Sequence, residues 1–249
     1  MSLATPEKNL QQGTLIGVGV GPGDPELLTL KALRLIKAAS CISYLANDKG
    51  QSQAKNIAIE ALQQVTIEQQ HIVIKMPMST DRRLANQTYD FGAKEIQKVL
   101  ATGKDVVFLC EGDPLFFGSF AYILERLQNT VDCLVIPGIS SVHAAAATLV
   151  QPLTIQKESF AVVSGRHTDD QLVHALRHHD TVVVMKAGRE RERIVKLLHE
   201  TERFQEGRYL EYIGRSNQKV VNDLNELETG AGSYFSLFVI CRDDRNFTE

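Results

Sequence analysis

The chain reads as α/β, built as two α/β domains, and three features of pattern lead there. Through the first half, apolar runs of strand length alternate with segments of helical periodicity, which argues for a largely parallel sheet covered on both faces. The first run feeds a glycine-rich turn and then a helix, the usual cradle of a nucleotide-like ligand. In the second half, late apolar runs follow one another with short turns between them, so an antiparallel portion is expected there. A length of 249 residues suits one large domain or two smaller ones. The break is expected near Asn129, giving domains 13–129 and 130–245.

Taken in order, residues 1–12 are polar and read as a loose tail. Leu15-Ile16-Gly17-Val18-Gly19-Val20 is a buried-strand run, broken at Gly21-Pro22-Gly23-Asp24-Pro25. Leu27, Leu30, Leu33 and Leu35 then carry a helical spacing. Ala38 to Leu45 is a second strand, Ala54 to Gln64 a helix, and His71 to Met76 a strand ending at Pro77. Pro77 to Asn86 reads as a loop into a long helix from about Gln87, stopped at Gly103 as a C′ glycine would stop it. Asp105 to Cys110 is another buried strand, followed at once by Glu111-Gly112-Asp113-Pro114 and a helix from Phe120 to Leu127.

The second half opens with a strand, Cys133 to Ile136, then Pro137-Gly138 and a serine-capped, alanine-rich helix through Ala147. Strands at 160–165 and 181–185 flank a helix from Asp170 to His178. A helix from Arg191 to Thr201 precedes strands at 208–213 and 234–241, with a weaker one at 217–222.

Composition narrows the function. With a net charge of −3 and a pI near 6.2, no global basic field recruits nucleic acid. No apolar run is long enough to span a membrane and no signal-like start is seen, so a cytoplasmic location is expected. The four cysteines (41, 110, 133 and 241) are widely spaced in apolar segments, which suits buried reduced thiols. His174 and His178 stand four apart on a helix, a zinc-compatible spacing. They sit beside His179, Arg177 and Asp180 without a cysteine or acidic partner in register, and a solvated helix face is the favoured reading; no metal is expected.

The glycine-rich turn invites a dinucleotide-site reading, but its spacing fails. Gly17-x-Gly19-x-x calls for glycine at 22, where Pro22 stands and removes a backbone donor. Gly19-Val20-Gly21-Pro22-Gly23-Asp24-Pro25-Glu26-Leu27-Leu28-Thr29-Leu30 instead resembles the first signature of the tetrapyrrole (corrin/porphyrin) methyltransferases. Glu111-Gly112-Asp113-Pro114-Leu115-Phe116-Phe117-Gly118-Ser119-Phe120 resembles the second, which carries a GDP motif. Ile136-Pro137-Gly138-Ile139-Ser140-Ser141-Val142 is similar to the third, and Val183-Val184-Met185-Lys186-Ala187-Gly188-Arg189 to the fourth. These motifs fall in the family's order and cover most of residues 14 to 240. Within the family, the first two stretches are most similar to the branch that methylates C(20) of precorrin-2. The uroporphyrinogen-III branch usually carries an arginine and then a glutamate after its GDP motif. Here those places read Gly118-Ser119-Phe120-Ala121.

The resemblance implies two α/β domains with S-adenosylmethionine in a cleft between them, S-adenosylhomocysteine as product, and a homodimer. Carried over position by position, it implies cofactor contacts at Pro22, Gly112, Asp113, Phe116, Ser141, Val142 and Met185, with Tyr212 and the Ser236-Leu237 pair added. The implied substrate is a tetrapyrrole polycarboxylate, so a locally basic cleft is expected despite the acidic whole. Arg166, Lys186 and Arg189 are the preferred carboxylate partners. Arg82, Arg83 and Arg215 also lie at loops or strand ends. Glu111 is the nearest candidate for the base that takes the proton lost after methylation, set against a plain role as a turn carboxylate. Another acceptor position, or a non-catalytic scaffold that keeps the pocket, stay open; retention of Gly112 and Asp113 speaks against the scaffold.

Overall fold

The computed structural model describes residues 12–77, 79 and 81–243, which divide into two compact units between Ser140 and Ser141. All but Gln12 of the polar N-terminal stretch lies outside the described residues.

In the first unit, β1 (Leu15–Gly19), β2 (Cys41–Ala46), β3 (Gln70–Lys75), β4 (Val106–Cys110) and β5 (Cys133–Ile136) form a parallel sheet ordered β3-β2-β4-β1-β5. Side chains alternate across it, as strand geometry requires. Ile16, Val18, Val20, Val107 and Leu109 pack under α1 (Leu30–Ala38), α2 (Gln53–Ile57) and α3 (Ile59–Gln63). Leu15, Val106, Phe108 and Cys110 pack under α4 (Arg82–Leu100) and α5 (Phe120–Leu127). Both faces are therefore covered, which is why β1 and β4 read as unbroken apolar runs.

The boundary moves relative to the sequence expectation. Cys133–Ile136 pairs with β1 from Leu15↔Cys133 to Val18↔Ile136, so this strand completes the first sheet rather than opening the second. An apolar run announces a strand but not the sheet that it joins. The long helix also begins earlier than expected, because the Asp81 carboxylate caps it by accepting from Arg83 N at 2.8 Å. The helix expected over 54–64 is two short ones, divided at Ala58, whose ψ of 7° leaves helical space.

The second unit holds α6 (Ser141–Leu149), β6 (Phe160–Ser164), α7 (Asp169–His178), β7 (Thr181–Met185), α8 (Arg191–Glu200), β8 (Gly207–Glu211), β9 (Lys219–Val221) and β10 (Ser236–Cys241). Its sheet is ordered β6-β7-β10-β8-β9, with β6 and β7 parallel and the remaining pairs antiparallel. Leu172, Leu176, Ile194, Leu197 and Leu198 of α7 and α8 close one face over Val182, Val184, Tyr209, Phe238 and Ile240. A capping box between Thr168 and Gln171 fixes the start of α7.

Candidate active site

In the first unit the chemistry-bearing turns meet where the sheet's winding reverses. The chain leaves β1 through α1 on one face and leaves the adjacent β4 through α5 on the other. Loops that part in this way open a crevice at the carboxyl ends of the two strands, the usual ligand position in a doubly wound sheet.

Four glycines bring the turns at this end of the sheet together through bare backbone. Gly21 and Gly112 form an antiparallel bridge, with Gly112 N donating to Gly21 O at 2.8 Å. Both have positive φ, 83° and 62°, which glycine adopts without steric cost. A Cβ on Gly19 would stand 2.6 Å from Gly112 O and 2.6 Å from Gly138 N, and a Cβ on Gly138 would stand 2.8 Å from Gly19 Cα. No side chain fits at either place, so the turns after β1, β4 and β5 touch through their main chains.

Asp113 holds that junction. One carboxylate oxygen accepts from Leu115 N at 2.9 Å within its own turn, and the other accepts from Gly138 N at 3.1 Å across to the turn after β5. Pro22 is buried beside the bridge, and Phe116 is half-buried with its ring edge-on to Phe117, centroids 5.2 Å apart. Glu111, the residue following β4, is half-buried. Beneath the turn, burial pushes the Cys110 thiol up from its ordinary pKa, so it stays a neutral packing group. Gly17 admits the Phe120 ring at the start of α5, since a Cβ there would lie 2.5 Å from it.

In the second unit Met185, Tyr212 and Leu237 lie at one end of the adjacent strands β7, β8 and β10. Met185 ends β7 directly opposite Leu237, which also pairs with Leu210 of β8. Tyr212 follows β8, and its N–H donates to Phe235 O at 2.9 Å, just before Ser236 and Leu237 begin β10. Arg166 and Lys186 leave the parallel strands β6 and β7 side by side, where Ser164 pairs with Met185. Arg166 is exposed, Lys186 half-buried, and Arg189 exposed on the single 3-10 turn at Gly188–Glu190. Ser141 and Val142 form the first turn of α6, with Val142 buried. Lys186 at φ 56° and Tyr212 at φ 51° are held in left-handed backbone, as is Phe117 at φ 54° in the first unit. Non-glycine residues in this region carry strain, and such strain concentrates at ligand-binding loops.

Two polar networks at this end of the sheet carry no signal in the sequence. Arg193 bonds the carbonyls of Gly165 and His167 together with Asp169 and Glu190, tying the turn after β6 to the turn after β7. Arg191, only 4% exposed, donates to Gly230 O at 2.8 Å and Thr229 O at 3.0 Å, with Glu211 at 4.0 Å. Glu211 accepts in turn from Tyr209 Oη at 2.7 Å and Ser233 N at 2.9 Å, which fixes the loop entering β10. Burial, then the Glu211 carboxylate, pushes the Tyr209 phenol up to about 12. Nothing in the spacing of Arg191, Tyr209 and Glu211 marks them as partners. Only the packing of the start of α8 against β8 brings Arg191 to them.

The rings of His174 and His178 stack with centroids 4.1 Å apart, and His178 Nδ1 lies 2.8 Å from His174 O. Among the described residues no group of three or more His, Cys, Asp or Glu side chains is arranged to hold a metal ion.

A family model described as Tetrapyrrole (Corrin/Porphyrin) Methylases matches residues 14–228. The chain is 33% identical over 237 residues to the cobalamin biosynthesis protein CobIJ of Mycobacterium tuberculosis, covering 92% of this chain and 46% of that one. It therefore spans about half the length of that relative. It is 32% identical over 236 residues to the precorrin-2 C(20)-methyltransferase of a Sinorhizobium species, covering 92% of this chain and 95% of that one. Its fold is shared with the crystal structure of uroporphyrin-III C-methyl transferase from Thermus thermophilus complexed with S-adenyl homocysteine. That likeness has a TM-score of 0.65 at 24% identity and covers 92% and 98% of the two chains.

Proposed function

The chain belongs to the tetrapyrrole (corrin/porphyrin) methylases, and we propose that it transfers a methyl group to C(20) of precorrin-2 or of the cobalt-loaded counterpart. The methyl donor is S-adenosylmethionine. The junction of Gly19, Gly112 and Gly138, bound by the Asp113 carboxylate, is the observation that supports a cofactor site here. A main-chain cradle without side chains suits the close approach of a large polar ligand. The C(20) position is supported by the end-to-end match to a C(20) enzyme and by the absence of the arginine and glutamate expected after the GDP motif of the uroporphyrinogen-III branch.

We assign the cofactor contacts of the first unit to Pro22, Gly112, Asp113 and Phe116. Those of the second unit are Ser141, Val142, Met185, Tyr212 and Leu237. When bound, the cofactor supplies an electrophilic methyl on a cationic sulfur whose charge is dissipated by transfer, so apolar walls without a strong acid suit the reaction. Pro22, Phe116, Met185 and Leu237 supply apolar surface and exclude water. Asp113 acts at a distance from the reacting carbon by fixing the turns. Precise placement of donor and acceptor is the main rate contribution asked of this scaffold. Glu111 is assigned as acceptor of the proton released from the methylated carbon. Arg166, Lys186 and Arg189 are assigned to substrate carboxylates, and the working form is a homodimer.

The test is mass spectrometry of the tetrapyrrole after anaerobic incubation with S-adenosylmethionine, with precorrin-2, cobalt-factor II and uroporphyrinogen III run in parallel. A mass gain of a single methyl on either acceptor, located at C(20) by NMR, is the expected result, and the preferred acceptor identifies the physiological one. Methylation of uroporphyrinogen III alone would overturn the assigned position. No methyl gain on any tetrapyrrole would overturn the activity.

A further inference from the structure

We infer that Arg82 binds a rim carboxylate of the tetrapyrrole, as a pre-set guanidinium outside the basic group assigned above; this rests on the polycarboxylate reading of the substrate. Arg82 is the first residue of α4 and is exposed. Its Nη2 donates to Tyr122 Oη at 3.1 Å, and its guanidinium carbon stands 4.9 Å from the centroid of the Tyr122 ring. That ring is itself fixed, stacked on Tyr89 with centroids 4.8 Å apart and planes 28° from parallel. Tyr89 is buried.

The neighbouring guanidinium groups are spent. Arg83 is forked onto Asp81, with bonds of 3.3 and 3.0 Å. Arg126 is bound to Asp90 at 2.6 Å. Among the described residues no carboxylate lies within ion-pair distance of Arg82, so its side chain is oriented by the Tyr122 hydroxyl and ring rather than by a counter-ion. An exposed arginine normally loses rotamer freedom when it takes a ligand, and a stacked, hydrogen-bonded one has already lost much of it. The planar fork also matches a carboxylate in a way that a lysine does not.

Its location fits the role. α4 starts beyond the carboxyl end of β3, and Tyr122 lies in the first turn of α5, directly after the loop that carries Gly112 and Asp113. Arg82 and Tyr122 therefore stand at the same end of the first sheet as the glycine junction.

The experiment is a fluorescence titration with uroporphyrin III, an octacarboxylate porphyrin, on the wild type and the variants Arg82→Gln, Arg82→Lys, Tyr122→Phe and Lys94→Gln. S-adenosylhomocysteine is titrated in parallel as a check of fold and cofactor site. Arg82→Gln is expected to weaken porphyrin binding about tenfold, the scale of a lost charge-assisted fork. Arg82→Lys should fall between, and Tyr122→Phe should cost about threefold through lost orientation. Lys94→Gln, which removes a charge further along the exposed side of α4, should match the wild type, and S-adenosylhomocysteine should bind all five proteins equally. Porphyrin binding by Arg82→Gln within twofold of Lys94→Gln would overturn this inference and leave the substrate reading standing. A wild type that takes up no porphyrin would overturn both.

Discussion

Replacing Asp113 tests the candidate site at its narrowest point. The carboxylate spends one oxygen on Leu115 N at 2.9 Å and the other on Gly138 N at 3.1 Å. A hydrogen bond to a charged acceptor contributes about 1.5–3 kcal/mol, and for a half-buried group the lower end applies because water replaces part of it. Asp113→Ala therefore removes about 3 kcal/mol of order from the junction, about half of it from the bond that reaches the turn after β5. If cofactor binding needs that turn in place, affinity falls by about tenfold for the long-range bond alone and about a hundredfold for both. Asp113→Asn keeps a single acceptor oxygen and turns its NH2 toward a backbone donor, so it should behave more like alanine than like aspartate. The assay is calorimetric titration of S-adenosylhomocysteine, with thermal unfolding run alongside. Both variants binding within twofold of the wild type, at unchanged melting temperature, would refute the idea that this carboxylate builds the site.

Three further outcomes follow from the same geometry. Gly138→Ala should be far more damaging to cofactor binding than Gly112→Ala, measured by the same titration. The first Cβ would meet Gly19 Cα at 2.8 Å, whereas the second would have 3.8 Å of room and face only the strain of a left-handed alanine, about 1–2 kcal/mol. The buried Tyr209 phenol makes stability pH-dependent: its folded pKa of about 12 exceeds the ordinary value of 10. Its contribution is therefore complete below pH 10 and is lost as pH rises through 12, by about 2–3 kcal/mol in all. Urea midpoints taken across that range should fall for the wild type and stay flatter for Tyr209→Phe. Glu111→Gln should lower kcat by about a hundredfold or more while S-adenosylhomocysteine binds normally, the signature of a lost general base. An unchanged kcat would return Glu111 to the status of a turn carboxylate.

The sequence carried the strands and the turns because each has a local signal. Leu15–Gly19 and Val106–Cys110 are apolar on both faces, and the glycines and prolines after them break the pattern at the point where the chain must turn. Phe120–Leu127 and Thr181–Met185 lie where the periodicity places them. What stayed hidden depends on register between distant segments. Cys133–Ile136 looks the same whether it closes one sheet or opens another, and only its pairing with β1 decides. In the same way Gly138 stands in the third motif, but only the approach of Gly19 and Gly112 shows that no side chain fits there.

The same distinction separates the residues assigned to the cofactor from those that only hold the turns carrying them. Gly112, Asp113 and Met185 stand in short motifs, so resemblance reaches them directly. Arg191, Glu211 and Arg193 stand in no motif, yet they bind the turns on which Tyr212, Leu237 and Lys186 are placed. Arg191 and Glu211 are nearly excluded from solvent, and removing either partner of such a buried pair costs about 3–5 kcal/mol, because the other charge is left uncompensated. Substitutions there would reach the site through its backbone, lowering stability and affinity together, whereas substitutions at Met185 or Arg82 would change affinity with the fold intact. Measuring both quantities on each variant separates the two groups, which the sequence alone lists side by side.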